Sequence, residues 1–340
     1  MITTPVAPRS PTPRGPLSDA VSATLTSSPD TTATRLEPVP IRQADPWGED
    51  LQLALYVCYE LHYRGFAGVD PGWEWNPELL RLRGEMEQYF LDAVREQAGE
   101  VSPLDELLAR LLTEPRTGDG PSHYLLAGGE RWQAREYLMH RSLYHLKEAD
   151  PQLWAAPRLG GAAQTAFLSI EYDEYGAGHP ERAHSRLFAE MMADFGLDST
   201  YGRYVDAAAA PALEVVNLMS LFGLHRALRG ALIGQFATVE ITSSPGSARL
   251  VRAFERLGAG PAGLRFYREH VEADAVHEQL VRHGVIGPLL ATEPALAGDV
   301  AFGIAASSLA EGRLSAHLTG EWAAGRSSLR GGPLAEPGLG

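Results

Sequence analysis

The sequence is poor in sulfur, in lysine and in long apolar runs, and each shortage excludes something. One cysteine, Cys58, rules out an internal disulfide and fits a reducing compartment, so a cytoplasmic location is expected. No stretch of about eighteen uninterrupted apolar residues occurs, so no membrane span is expected. The first residues lack the basic-then-apolar order of a secretory signal. Lysine is scarce, arginine is scattered among acids, and the net charge is −14 with histidine neutral. A nucleic-acid binder needs a basic face, and none can be assembled from these residues. The acidic balance favours solubility, and carboxylates gathered around a cation would account for part of it. Strand-like alternation is nearly absent, and there is no clear P-loop or dinucleotide-binding fingerprint.

What is present is helical periodicity in a chain that is 44% hydrophobic. Residues 1–45 are rich in Pro, Ser and Thr and read as a disordered tail. Residues 46–324 read as one helical domain, and 325–340 as a flexible Gly/Pro-rich end. Asn76-Pro77 is a helix start, with Asn as the cap and Pro in the first turn. Further helices are expected over Asp50–Tyr63, Leu104–Leu112, Glu130–Lys147, Ala162–Tyr175, Pro180–Phe195, Pro211–Phe222, Arg226–Glu240, Ala262–His283 and Pro294–Trp322. Short connections carrying Gly or Pro join them, which predicts an all-α bundle.

The strongest chemical signal is His270-Val271-Glu272-Ala273-Asp274-Ala275-Val276-His277. At about 100° per residue, Asp274 lies roughly 40° from His270 and His277 roughly 20° to the other side. Two imidazoles and a carboxylate then share one stripe, a donor set that suits iron, manganese or zinc. A solvated polar stripe is the plain alternative. One helix cannot close such a site, so acids in apolar surroundings are sought. Glu240 follows Leu232, Ile233, Phe236 and Val239 and precedes Thr242-Ser243-Ser244-Pro245, which reads as a helix end. A carboxylate there opposes the macrodipole and invites a cation, unless it reaches solvent. Glu171, Asp173 and Glu174 form a dense acidic patch, and His184 follows a Gly-rich break. Glu136 and His140 share a helix face and form a reserve pair, and Glu60 with His62 is a weaker one.

Taken together, His270-x-x-x-Asp274-x-x-His277, Asp173-Glu174-Tyr175-Gly176 with its downstream histidine, and Glu240-Ile241-Thr242-Ser243-Ser244 resemble the haem-oxygenase-like di-metal oxidases and oxygenases. The likeness spans about residues 50–320, and Tyr144–Trp154 and Asn217–Arg226 share its general character. The resemblance implies a haem-oxygenase-like helical bundle, here with additional N-terminal helices. It implies two Fe(II) ions per chain, held by Glu174, His184, Glu240, His270, Asp274 and His277, with Glu171 as a substitute for Glu174. It also implies activation of O₂ to oxidise a small amino-acid-like or carboxylate substrate, with an external electron donor as a further partner. A homodimer is compatible with it. No catalytic residue beyond the metal ligands is required. Tyr144, Asn217, Phe222, His225 and Arg226 are candidate substrate contacts.

Two other readings compete. A ferritin-like di-iron carboxylate protein would use Glu-x-x-His pairs, and Glu181-x-x-His184 has that spacing. A metal-free, thiaminase-like or small-molecule-binding protein would need a nucleophile in its thiaminase form, and only Cys58 is available, among Leu55, Val57 and Leu61.

Overall fold

Helix starts follow the local chemistry of the chain. In the computed structural model, which describes residues 7–29, 39–113 and 118–334 and only the backbone of Glu272, Asp274 and Ala275, the Asn76 side chain accepts hydrogen bonds from the amides of Glu78 (3.0 Å) and Leu79 (3.2 Å). Two otherwise unpaired amides are thereby satisfied, and Pro77 opens the helix without wasting a donor. The helices in chain order are α1 (Pro16–Leu25), α2 (Glu49–Glu60), α3 (Pro77–Ala98), α4 (Leu104–Leu111), α5 (Pro121–Ala127), α6 (Arg131–His145) and α7 (Asp150–Leu153). They continue with α8 (Gly161–Glu174), α9 (His184–Asp194), α10 (Ala210–Leu224), α11 (Arg229–Arg256), α12 (Pro261–Gln279), α13 (Gly287–Thr292) and α14 (Ala297–Ala323). The fold is all-α, with no strand among the described residues. No single described helix is long and apolar enough to cross a membrane.

Helices α2 and α10 form the middle of the core and are buried along most of their length. Helix α11 packs against both α12 and α14. Its approach to α14 is backbone to backbone: a Cβ on Gly234 would sit 2.0 Å from the Val300 carbonyl oxygen, and one on Gly303 would sit 2.0 Å from that of Ala231. Only glycine permits that contact.

Three segments depart from the sequence reading. First, the expected 1–45 tail contains α1. Leu17, Val21 and Leu25 repeat every fourth residue and are buried, and the Asp50 carboxylate accepts from the amides of Leu17 and Ser18 and from the Ser18 hydroxyl. Residues 1–6 and 30–38 of that expected tail lie outside the described residues. At the other end, Ser328 and Leu329 of the expected flexible terminus are buried, while 335–340 lie outside the described residues.

Second, α11 does not stop at Glu240 but runs on to Arg256 with Pro245 inside it. An interior proline costs about 3 kcal/mol by deleting one backbone bond. Packing against α12 and α14 overrides that local preference. Third, the expected helix Ala262–His283 ends at Gln279 and passes through a π-helical turn, Leu280–Ile286, into α13. Pro288 has no N–H to return to the Gly284 carbonyl, so the regular ladder is broken there.

Candidate metal centre

The end of α8, the start of α9, the middle of α11 and α12 meet the chain just after α6. Glu174 is the last residue of α8 and His184 the first of α9. The reversal between them needs left-handed backbone at Gly176 (φ 86°) and Gly178 (φ 84°), and a Cβ on Gly176 would meet the His179 carbonyl oxygen at 2.3 Å. The glycine-rich break is therefore the device that returns His184 to Glu174, and His184 Nδ1 lies 2.7 Å from Glu174 Oε2.

Two buried groups form around Glu174. Glu148, Glu174, His184 and His270 have ligand-capable atoms within 4.8 Å of one another, and so do Glu174, Glu240 and His277. Exposure runs from 1% for His277 to 6% for His270, so the carboxylates and imidazoles are withdrawn from water. His270 Nδ1 faces the Phe266 carbonyl oxygen at 2.8 Å. Donation of the Nδ1 proton to that oxygen leaves Nε2 as the ligating nitrogen, 3.8 Å from Glu148 Oε1. His277 places Nδ1 3.1 Å from Glu240 Oε2 and Nε2 3.3 Å from Asp173 Oδ2.

Of the residues read from the sequence, Glu174, His184, Glu240, His270 and His277 come together. The Asp274 side chain lies outside the described residues, although its backbone is in α12 between the two histidines. Glu240 belongs to the site for a different reason from the one read in the sequence. It is interior to α11, so the helix-end argument does not apply. What marks it is burial opposite His277.

Glu148 was missed. Helix α6 ends at His145, so Glu148 sits off any helical register and no spacing argument reaches it. His145 Nδ1 approaches Glu148 Oε1 at 3.1 Å. Burial opposes ionisation of Glu148, but His145 and His270 outweigh it and hold its carboxyl well below the usual range. For His184 burial is likewise outweighed, by Glu174, and the imidazole is pushed up. Glu171 goes the other way: burial, then Glu174 and Glu240, raise its carboxyl well above the ordinary value.

The donor set fits a cation. Glu148 Oε2 and both Glu171 oxygens are buried without a hydrogen-bond partner, a costly state for carboxylates. A void with room for about one water-sized sphere is lined by Tyr144, Glu148, Glu174, Glu240 and His270 among others.

The reserve pairs have other tasks. Glu136 accepts from Trp322 Nε1 (3.0 Å) and from the Ser328 amide (2.8 Å) and hydroxyl (2.7 Å). Glu60 takes Lys147 Nζ at 2.9 Å and the Tyr201 hydroxyl at 2.7 Å. His62 contacts Glu74 at 3.1 Å. Among the candidate substrate contacts, Tyr144 borders the centre. Asn217 instead bonds Gln52, Phe222 packs on Phe302, and His225 pairs with Glu87, while Arg226 opens the short turn into α11. Burial pushes the Cys58 thiol up to about 12, which suits packing and not nucleophilic attack. Glu181 is exposed beside His179, so the Glu181-x-x-His184 pair of a ferritin-like site is not built.

An all-α bundle that buries carboxylates and imidazoles around one shared glutamate defines a class of helical protein equipped to hold metal. Residues 135–312 match the iron-containing redox enzyme family, and the chain belongs to that family. Nitrosourea synthase of Streptomyces achromogenes subsp. streptozoticus is 25% identical over 217 residues, covering 62% of this chain and 46% of that protein. The chain thus spans about half the length of that curated relative. A CADD-like protein of unknown function from Nostoc punctiforme is similar in two crystal structures. The TM-scores are 0.52 and 0.50 at 19% and 18% identity, covering 64% and 65% of this chain and 96% and 95% of the other. The fold is haem-oxygenase-like, and the family marks the chain as an iron-containing oxidoreductase.

Proposed function

We propose that this chain is a non-haem di-iron oxidase or oxygenase that uses O₂ to oxidise a small amino-acid-like or carboxylate substrate. The observation that carries the reading is Glu174, which belongs to both buried groups and so stands where one carboxylate would serve two ions. Glu148, His184 and His270 would complete one position. Glu240 and His277, with Asp274, would complete the other. Iron, when bound, supplies the redox chemistry and the activation of oxygen.

The residues of the chain do the rest. The carboxylates of Glu148, Glu174 and Glu240 offset the charge of two divalent ions. The Phe266 carbonyl oxygen fixes the His270 tautomer. Burial of Glu148, Glu174, His184, Glu240, His270 and His277 excludes bulk water. The family supports an oxidation, and the likeness to a nitrosourea synthase supports a nitrogen-bearing substrate for it. The partners on this reading are O₂, the substrate and an external electron donor, and the site of action is the cytoplasm.

The test is anaerobic Fe(II) titration of the full chain, followed by oxygen-uptake measurement on mixing with O₂. About two irons per chain and iron-dependent uptake are expected. Failure to bind iron, or uptake unchanged by iron, would overturn the reading.

A further inference from the structure

His270 and His277 stand two turns apart on α12, so the helix presents both rings from nearly one direction. Their surroundings turn them opposite ways. His270 directs Nδ1 to the Phe266 carbonyl oxygen of its own helix (2.8 Å), which leaves Nε2 to face Glu148. For His277 it is Nδ1 that faces the buried carboxylates, 3.1 Å from Glu240 Oε2 and 3.9 Å from Glu174 Oε1. Its Nε2 faces Asp173 Oδ2 at 3.3 Å.

Asp173 is placed differently from its neighbour in the chain. Consecutive helix residues lie about 100° apart, so in the last turn of α8 Glu174 turns into the centre while Asp173 stays at its rim. The Asp173 side chain is 51% exposed and that of His277 is 1% exposed. The contact therefore joins a solvent-facing carboxylate to a buried imidazole. A carboxylate in the last turn of a helix meets the unfavourable end of the macrodipole, and α8 has no basic residue in that turn. Among the described residues, the Asp173 carboxylate pairs with His277 alone.

A neutral imidazole has one N–H and one lone pair, and an ionised carboxylate can only accept. Glu240 at Nδ1 and Asp173 at Nε2 thus both invite the ring proton. A cation held by Glu174 and Glu240 would take the Nδ1 lone pair, and the proton then has Asp173 as its acceptor.

We infer that Asp173 is a positioning residue for the Glu240–His277 position: it accepts the Nε2 proton of His277, fixes the ring and makes Nδ1 the ligating nitrogen. The inference rests on reading the buried groups as a metal centre. Two histidines of one helix then ligate through different nitrogens, His270 through Nε2 and His277 through Nδ1. A carboxylate behind a ligating imidazole also strengthens it as a donor, and such partners are worth about 10- to 100-fold in metal affinity. The structural alternative for Asp173 is a tie between α8 and α12.

The experiment is zinc titration of the full chain with isotope-labelled histidine, read by nitrogen NMR of the imidazole rings. Zinc is redox-silent and accepts imidazole and carboxylate ligands, so no turnover is needed. At saturation His277 should carry metal on Nδ1 and a proton on Nε2, and His270 the reverse. Asp173→Leu keeps bulk without an acceptor. It should weaken the zinc binding that His277 reports by about 10- to 100-fold and leave that reported by His270 within about twofold. Asp173→Asn keeps an accepting oxygen and should fall between Asp173→Leu and the unaltered protein. Glu181→Ala removes another exposed carboxylate close to His184 in the chain and should change neither signal, which separates the contact from a general charge effect. Zinc on His277 Nε2 in the unaltered protein, or equal losses at both histidines in Asp173→Leu, would overturn the inference and leave Asp173 as a helix tie. Absence of zinc from both histidines would overturn the metal-centre reading, and the inference with it.

Discussion

Two regions of the molecule bury a glutamate beside a histidine, and they meet the cost of burial in opposite ways. Around Glu136 the chain supplies the donors itself: Trp322 and Ser328 converge on the carboxylate and fasten the C-terminal segment to α6. Around Glu174 the neighbours are mostly other carboxylates and imidazoles, and Glu148 Oε2 and both Glu171 oxygens are left without hydrogen-bond donors. In the first arrangement the carboxylate is satisfied by donors of the polypeptide. The second gathers several carboxylates in a low-dielectric interior, where like charges repel and a bound cation would offset them. Lys147 and Glu148 show the same divide between adjacent residues. Lys147, the chain's only lysine, is neutralised by Glu60, while Glu148 faces the centre.

The largest effect that would break this contrast is loss of metal. Glu174→Ala removes the carboxylate common to both groups, so iron content should fall further than in Glu148→Ala or Glu240→Ala, with helical circular dichroism retained. Iron analysis after anaerobic loading checks this, and full iron content in the Glu174 variant would contradict the shared role. Next comes Glu136→Ala, which should leave iron content unchanged but cost roughly 2 to 4 kcal/mol of stability, because several buried donors lose their acceptor. Denaturant unfolding reads that cost, and reduced iron content would show that the two regions are not separate.

The smallest effect concerns pH. Burial, reinforced by His317, lowers the His140 pKa from 6.5 to about 3. Its folded value lies below its unfolded one, so the unfolded chain binds the extra proton between those limits. Its contribution is therefore fully present above about pH 6.5 and is lost as pH falls toward 3. A His140→Phe variant should show a shallower loss of stability over that interval. An unchanged slope would place the acid sensitivity elsewhere.

Much of the fold was legible because it rests on local chemistry. The Asn76-Pro77 cap, the apolar α10 segment and the Gly stops are properties of short stretches. The His270–His277 stripe was legible for the same reason, since one helix carries both imidazoles at fixed spacing. Glu174 and His184 drew notice only as a patch and a lone histidine, and their pairing came through the family resemblance. What escaped depends on tertiary context. The run of α11 through Pro245 is imposed by packing on α12 and α14. Helix α1 looked like a Pro/Ser/Thr tail because its partner, Asp50, lies 32 residues beyond Ser18. Glu148 follows a helix end, where no periodicity remains to reveal it.

The central claim is that two metal positions share Glu174. The most direct measurement is a crystal structure of the anaerobically iron-loaded protein with anomalous scattering recorded at the iron edge. Two anomalous peaks are expected on either side of Glu174, one against Glu148, His184 and His270 and the other against Glu240 and His277. A single peak, or iron at Glu136 and His140 with the centre empty, would contradict it.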